Sequence, residues 1–521
     1  MNTYLVFFFV VVFPGSVVVL LWASKSSRNR RYPPGPRGWP IIGNLLDVPV
    51  SYPWLTYRGW SLKYGPVVHL RVLGQSIVIL NTAKAASDFL DARSANYSDR
   101  VRSVIIPLVG LDWSTGLMPY GPTWRKHRRT IHQYFTSDVI RQYQPVQLRK
   151  ARQLLHHLHQ DPENFLRYVH FMLKGALFAI IHQCDWGHRY GDNIWPHQAA
   201  AEVFIPGKYL IEFLPFLRHI PAWFPGAEFQ RKAAKWKTQF TTMKDAPFNA
   251  ARAALRTGDA KPSMVMRMLD QLTSPEDEIQ VEVFKNSAGV IYGGYPLSKQ
   301  TNLAMQAFFA AMVLYPDVQK IAQEELTAVV GSDRLPEFSD RESLPYVNAV
   351  VKECTRWMPV NPLGVPHASM ADDEYNGYLI PKGTIVIANQ WRVIFDESMA
   401  ILHDGDDYPD PELFKPERFI KDGKLNREIK DPHTAAFGFG RRICPGRHFS
   451  DATMFINIAS ILHVFDISQW FDEIDTSLSM VCVQWAINLE QLLKEVSGQC
   501  GSGFKSTFWE DWRRRRRSFQ K

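Results

Sequence analysis

Residues 4–23 form an uninterrupted run without a charged side chain. At 1.5 Å per residue a helix of that length reaches about 30 Å, the thickness of a bilayer's hydrocarbon core. Pro14 and Gly15 lie inside the run, which membrane helices tolerate. Lys25, Arg28, Arg30 and Arg31 follow at once, and no charged side chain precedes. This asymmetry predicts a membrane anchor over 1–24 with the rest of the chain cytosolic. The rival, a cleaved signal peptide, has a shorter apolar region with basic residues before it. A basic, proline-rich hinge follows over 25–50, where Pro33, Pro34, Pro36 and Pro40 make a stiff, extended spacer. Residues 67–73 then alternate, with Val68, Leu70 and Val72 on one face and His69 and Arg71 on the other. Gly74 and Gln75 separate this stretch from the apolar run 77–80, which predicts a hairpin of a small sheet. Beyond it the period is mostly helical, with few strands before 378–389. Helices are predicted to open near Pro122, to span roughly 341–358, and to start just after Pro445. Residues 214–225 (LPFLRHIPAWFP) are heavily apolar for a proline-punctuated loop. No internal repeat is present.

Composition narrows the class. A chain of 521 residues with 46% hydrophobic and 13% aromatic content can fill a large core, which excludes global disorder. The formal charge of +9 is spread along the chain rather than gathered in a recognition helix. Nucleic acid is therefore not expected as a partner; a membrane surface or an acidic protein fits better. Five widely spaced cysteines without a C-x-x-C pair point to a reducing compartment, with neither disulfides nor a zinc cage.

One of those cysteines stands in a pattern. FGFGRRICPG fits the frame F-x-x-G-x-R-x-C-x-G through Phe437, Gly440, Arg442, Cys444 and Gly446. Five fixed positions, each met by chance about once in twenty, recur in a chain this long about once in 6,000. Two glycines bracket the cysteine and let amide N–H groups turn toward the sulfur. Arg441, Arg442, Arg447 and a helix start favour thiolate over thiol. A thiolate with donors aimed at it is a metal ligand; a lone buried cysteine is otherwise a small hydrophobe.

The decapeptide resembles the haem-thiolate loop of the cytochrome P-450 family, and the likeness runs from about Tyr32 to Ser468, closest to microsomal enzymes of fungi. The resemblance implies a mainly α fold, a helical prism with a minor β-sheet region, beside the N-terminal transmembrane helix. It makes 51–468 the haem-thiolate catalytic domain and leaves 469–521 an atypical, poorly ordered tail. Cys444 becomes the axial ligand of haem b iron, with Phe437, Gly440 and Gly446 shaping the loop. Trp124 and Arg128, at i and i+4, share a helix face and offer donors suited to a carboxylate. By resemblance that carboxylate is a haem propionate, held also by Arg442 and His367. Glu353 and Arg356, an E-x-x-R pair, join Arg418 of the sequence PERF in a structural lock under the haem. The proline hinge joins anchor to body, and loop 214–225 either dips into the bilayer or is buried. The implied activity is mono-oxygenation of an apolar small molecule (a secondary metabolite, lipid or xenobiotic) with O2. Electrons come from an NADPH–cytochrome P-450 reductase, and the expected location is the endoplasmic reticulum membrane, single-pass.

Departures from the family's pattern occur at three places. Within 291–301, IYGGYPLSKQT, Gly293 and Gly294 are present, but Tyr295, Pro296 and Leu297 stand where an acid and an alcohol belong. Ser298 and Thr301 are the remaining hydroxyl candidates for a proton relay, with Lys299 as ionisable neighbour. Residues 392–399 look inserted. The tail after Ser468 ends in tryptophans and an arginine run. These leave two alternatives open: a haem-thiolate isomerase or dehydratase acting on a peroxide, and a haem-binding but catalytically impaired protein.

Overall fold

The computed structural model describes residues 31–468 except 50–51, 183–202, 204–208, 213, 260–261, 273, 275–276, 299, 359–360 and 391–400. The anchor run, the insertion 392–399, Lys299 and the tail 469–521 therefore lie outside the described residues. So do the side chains of residues 294–300, Ser298 among them. The chain divides into two compact units, 1–101 with 363–401 and 102–362 with 402–521.

The first unit is built on a five-stranded sheet. Helix α1 (Pro53–Tyr64) precedes strands β1 (Val67–Val72) and β2 (Gln75–Leu80), which pair antiparallel from Val67↔Leu80 to Val72↔Gln75. The hairpin appears where the alternation predicts it, but its turn is Leu73–Gly74, not Gly74–Gln75. Both turn residues are left-handed (φ 49 and 89), the twist that matches two antiparallel strands, so Gln75 is free to pair. Two-residue strands β3 (Asp99–Arg100) and β4 (His367–Ala368) join the sheet; β5 (Asp373–Tyr375) and β6 (Tyr378–Ile380) form a separate ribbon. Strand β7 (Ile385–Ala388) completes the order β1-β2-β7-β4-β3, lying parallel to β2. Sequence periodicity misses β3 and β4, because two residues cannot show an alternation. Tyr57 of α1 packs on Val68, Leu70 and Ile79, burying the face that the pattern assigns to the core.

The second unit is helical. It contains α2 (Pro122–Gln133), α3 (Gln144–Gln160), α4 (Phe165–His182), α5 (Glu228–Thr257), α6 (Glu278–Ser298), α7 (Gln300–Leu314), α8 (Pro316–Val330), α9 (Pro345–Trp357) and α10 (Arg447–Val464), with shorter helices between. Proline opens α2, α8 and α9 at the position where a missing N–H costs nothing. The predicted 341–358 helix is shorter than expected, because Phe338–Ser343 is a separate 3-10 helix before Pro345. The start of α9 is capped from α8: Glu325 accepts from the Tyr346 and Val347 amides at 2.8 and 2.9 Å. Among the described residues the one helix long and apolar enough to cross a membrane is α4; about half of it is buried, against α3, α6 and α7. Loop residues Leu214, Phe216, Trp223 and Phe224 are exposed. Helix α10 is largely buried, with α3, α7, α8 and α9 packed around it.

Candidate active site

The cysteine loop leads into α10. Gly438 and Gly440 both sit in the left-handed region (φ 79 and 52), which lets the chain reverse so that the Cys444 amide donates to the Phe437 carbonyl at 2.7 Å. The Phe437 side chain is buried. Gly446 works differently from the sequence argument: its φ is −80, open to any residue, and a Cβ there would meet the Cys444 sulfur at 3.7 Å, ordinary contact. Its contribution is its N–H, which favours the charged form of the sulfur. Gly438, which the frame leaves variable, is the second strained turn position.

The expectation of a free thiolate needs correcting. Burial pushes the half-buried Cys444 thiol up, and this outweighs the Gly446 N–H, Arg128 and Arg447, each of which pulls it down. A coordinated metal ion reverses the balance, since a ligating thiol is deprotonated outright. Cys354, the other described cysteine, is fully buried beside Glu353, which with desolvation holds its thiol well above the ordinary range.

Helix α2 brings Trp124 and Arg128 against this loop. Arg128 Nη2 donates to the Ile443 carbonyl at 2.5 Å, next to the cysteine. Trp124 Nε1 donates to the Thr115 carbonyl at 3.2 Å. Arg442 donates to the carbonyls of Thr115 and Met118 at 3.0 and 2.8 Å, and its guanidinium lies 4.4 Å over the Trp124 ring. Three donors thus converge on the backbone of 115–118, a stretch without a readable signal. The residues fit an anionic group. Arg128 meets no carboxylate among the described residues; burial lowers its pKa, and the charges acting on it are Cys444 and Arg447. Thr115 Oγ1 is buried without a partner beside the Arg442–Trp124 pair.

Glu353, Arg356 and Arg418 meet as the resemblance implies. Arg356 is bidentate on Glu353 at 2.7 and 2.8 Å, and Arg418 Nε adds a bond at 3.2 Å. The Lys415 amide donates to the same carboxylate at 2.8 Å. The carbonyls of Leu402 and Leu413 take further Arg356 donors, and those of Pro409, Asp410 and Leu413 take further Arg418 donors. All three side chains are buried, so this shell is what makes the cluster tolerable. His367 belongs to the other unit, on β4, where Nδ1 lies 2.6 Å from the Tyr97 carbonyl. Thr301 stands on α7, its hydroxyl 2.7 Å from that of Ser450 on α10. Ser450 was not expected from the sequence; nothing in the motif marks it.

The family model for Cytochrome P450 matches residues 33–484, past Ser468. Cytochrome P450 monooxygenase COX1 of Coprinopsis cinerea is 36% identical over 88% of this chain and 90% of its own length. Cytochrome P450 monooxygenase ple1 of Rhodocybe pseudopiperita is 39% identical over 88% of each. Cytochrome P450 monooxygenase 98 of Postia placenta is 38% identical over 89% of this chain and 88% of its own. With the cysteine loop, its arginine donors and a match of this extent, the chain belongs to the cytochrome P450 family, whose cofactor is haem b.

Proposed function

We propose that this chain is a membrane-anchored monooxygenase that puts one oxygen atom of O2 into an apolar small molecule, with electrons from an NADPH–cytochrome P450 reductase. The carrying observation is Arg128, which donates to the Ile443 carbonyl next to Cys444 and meets no carboxylate among the described residues. Haem iron held by a thiolate supplies the oxygen chemistry, because the sulfur pushes electron density toward the metal. Cys444 would hold the iron. The Gly446 N–H, Arg128 and Arg447 favour its charged form. Arg442, Trp124, Arg128 and His367 would hold the propionates, and Glu353 with its two arginines keeps the supporting structure rigid. Residues 1–24 anchor the chain in the endoplasmic reticulum membrane, with the catalytic body cytosolic. Exposed Phe216, Trp223 and Phe224 support a second apolar contact.

The central test is the spectrum of the reduced, carbon-monoxide-treated membrane fraction, with Cys444→Ala as its partner. The red-shifted Soret band of a thiolate-bound carbonyl is expected in the parent and lost in the variant. A shifted band that survives Cys444→Ala would mean that another residue holds the iron. The Tyr295–Leu297 departure favours, as second reading, an isomerase or dehydratase that rearranges a ready-made peroxide. Turnover of a lipid hydroperoxide without reductase would select it; NADPH-dependent oxygenation selects the monooxygenase.

A further inference from the structure

Helix α10 is buried without interruption over 452–462, as are Phe449 and Ser450, and most of what it buries is apolar: Phe449, Phe455, Ile456, Ile458 and Leu462. Four polar residues interrupt it, Ser450, Thr453, Asn457 and Ser460, none more than 8% exposed. Their spacing puts them within about 80° of arc, a single stripe along the helix. Some of its bonding capacity is met. Gln147 of α3 donates to Thr453 Oγ1 at 2.7 Å and to the Phe449 carbonyl at 3.2 Å. Asn457 Nδ2 donates to the Thr453 carbonyl at 2.7 Å. The other side of the inventory is unmet: Gln147 Oε1, Asn457 Oδ1 and Ser460 Oγ are buried without partners. Arg152, further along α3, has the complementary deficit, a buried Nη1 without an acceptor, while its Nη2 donates to the Pro336 carbonyl at 3.0 Å. The charge acting on Arg152 is Glu337, which is exposed. At the opposite end of the stripe stands the Ser450–Thr301 hydroxyl pair.

We propose that this stripe holds a file of buried water molecules, and that the file passes protons from solvent at Arg152 and Glu337 to the Thr301 hydroxyl. Neighbours at i, i+3 and i+4 lie about 5–6 Å apart, a gap that one water bridges. Acceptors short of donors and a donor short of an acceptor are what a water, able to do both, satisfies. Transfer along the file is balanced: each water, and the Ser460 and Ser450 hydroxyls, takes a proton from its neighbour on the Arg152 side and releases its own toward Thr301, while Thr453, whose hydroxyl donates to the Phe449 carbonyl at 2.8 Å, only accepts. No electrons move, and solvent supplies the protons. Gln147 and Asn457 are positioning residues, since an amide holds a water but does not relay through itself. The arrangement answers the missing acid at Tyr295–Leu297, because Thr301 is reached from behind, through Ser450. It rests on the monooxygenase reading, in which Thr301 delivers protons.

Two measurements on the full chain separate the inference from that reading. Oxygen-17 relaxation dispersion in labelled water should detect slowly exchanging internal waters that Asn457→Leu removes; a signal unchanged by that variant overturns the file. With reductase, NADPH and 7-ethoxycoumarin as probe, Ser450→Ala should lower product per NADPH by about an order of magnitude. That is less than the ~10²-fold of a direct acid–base group, because Ser450 acts through Thr301. Peroxide release and the solvent isotope effect should rise, and Ser450→Thr should restore both. A product ratio and isotope effect unmoved by Ser450→Ala in haem-loaded protein overturn the relay. If Ser450→Ala fails to load haem, Asn457→Leu provides the same kinetic comparison. If the parent oxygenates nothing, the monooxygenase reading falls, and the relaxation measurement still decides the water file.

Discussion

Glu353 shows what burial demands of one residue. Its carboxylate accepts from Arg356, Arg418 and the Lys415 amide, and the remaining guanidinium donors end on backbone carbonyls. Exposed, such a pair contributes ~0.2–0.5 kcal/mol; buried, removal of one partner leaves uncompensated charge. Glu353→Gln is expected to cost ~3–5 kcal/mol, measured as lost haem-loaded protein and a lower melting temperature. An unchanged yield and melting point would show that the cluster is dispensable. His69 offers a pH test in the sheet unit. It stacks on Tyr32 and bonds Ser76 Oγ at 2.6 Å, and desolvation, then Arg71, lowers its pKa from 6.5 to about 4. The unfolded chain therefore binds a proton below 6.5 that the folded chain refuses until about 4. Stability is fully present above 6.5 and falls as pH drops through that window. His69→Gln should flatten the decline in melting temperature over the same range. A decline as steep as the parent's would place its source elsewhere.

At the scale of elements, prolines and glycines carry most of the readable information. Pro122 and Pro345 mark helix starts because a fixed φ and a missing N–H fit the first turn without loss. The central segment carries Pro296 within helical backbone: α6 is described to Ser298 and α7 from Gln300, on either side of Lys299, which lies outside the described residues. A proline inside a helix costs about 3 kcal/mol. Taken alone, the Tyr295–Leu297 segment predicts poorly coupled oxygen activation, with reducing power escaping as peroxide. Replacing Tyr295–Leu297 by Ala-Asp-Thr should raise the product-to-NADPH ratio severalfold if a local acid and alcohol are what the segment lacks. A parent enzyme that already converts nearly every NADPH into product would refute this, and it is the outcome that the α10 relay favours.

For the whole molecule, the proposed membrane anchor can be tested directly. Removal of residues 1–25 should weaken attachment, leaving residual binding through the exposed Phe216, Trp223 and Phe224. Protease added outside intact microsomes should digest the catalytic body; a protected body would reverse the orientation.

What the amino-acid string determined by itself is whatever local chemistry dictates: the cysteine frame, the proline-led helices, the β1–β2 hairpin and the E-x-x-R pair. Each rests on residues within a few positions of one another, so a backbone preference or a spacing is enough to declare it. Tertiary structure alone decided which distant groups meet. Arg418 comes to Glu353, Arg128 to the Ile443 carbonyl, and Ser450 to Thr301 across long stretches of chain. It also decided the protonation balance of Cys444, because desolvation depends on what surrounds the sulfur rather than on which arginines flank it in sequence. The orphan polar atoms along α10 belong to the same class. A serine or asparagine in an apolar helix is unremarkable until packing removes water from every side of it.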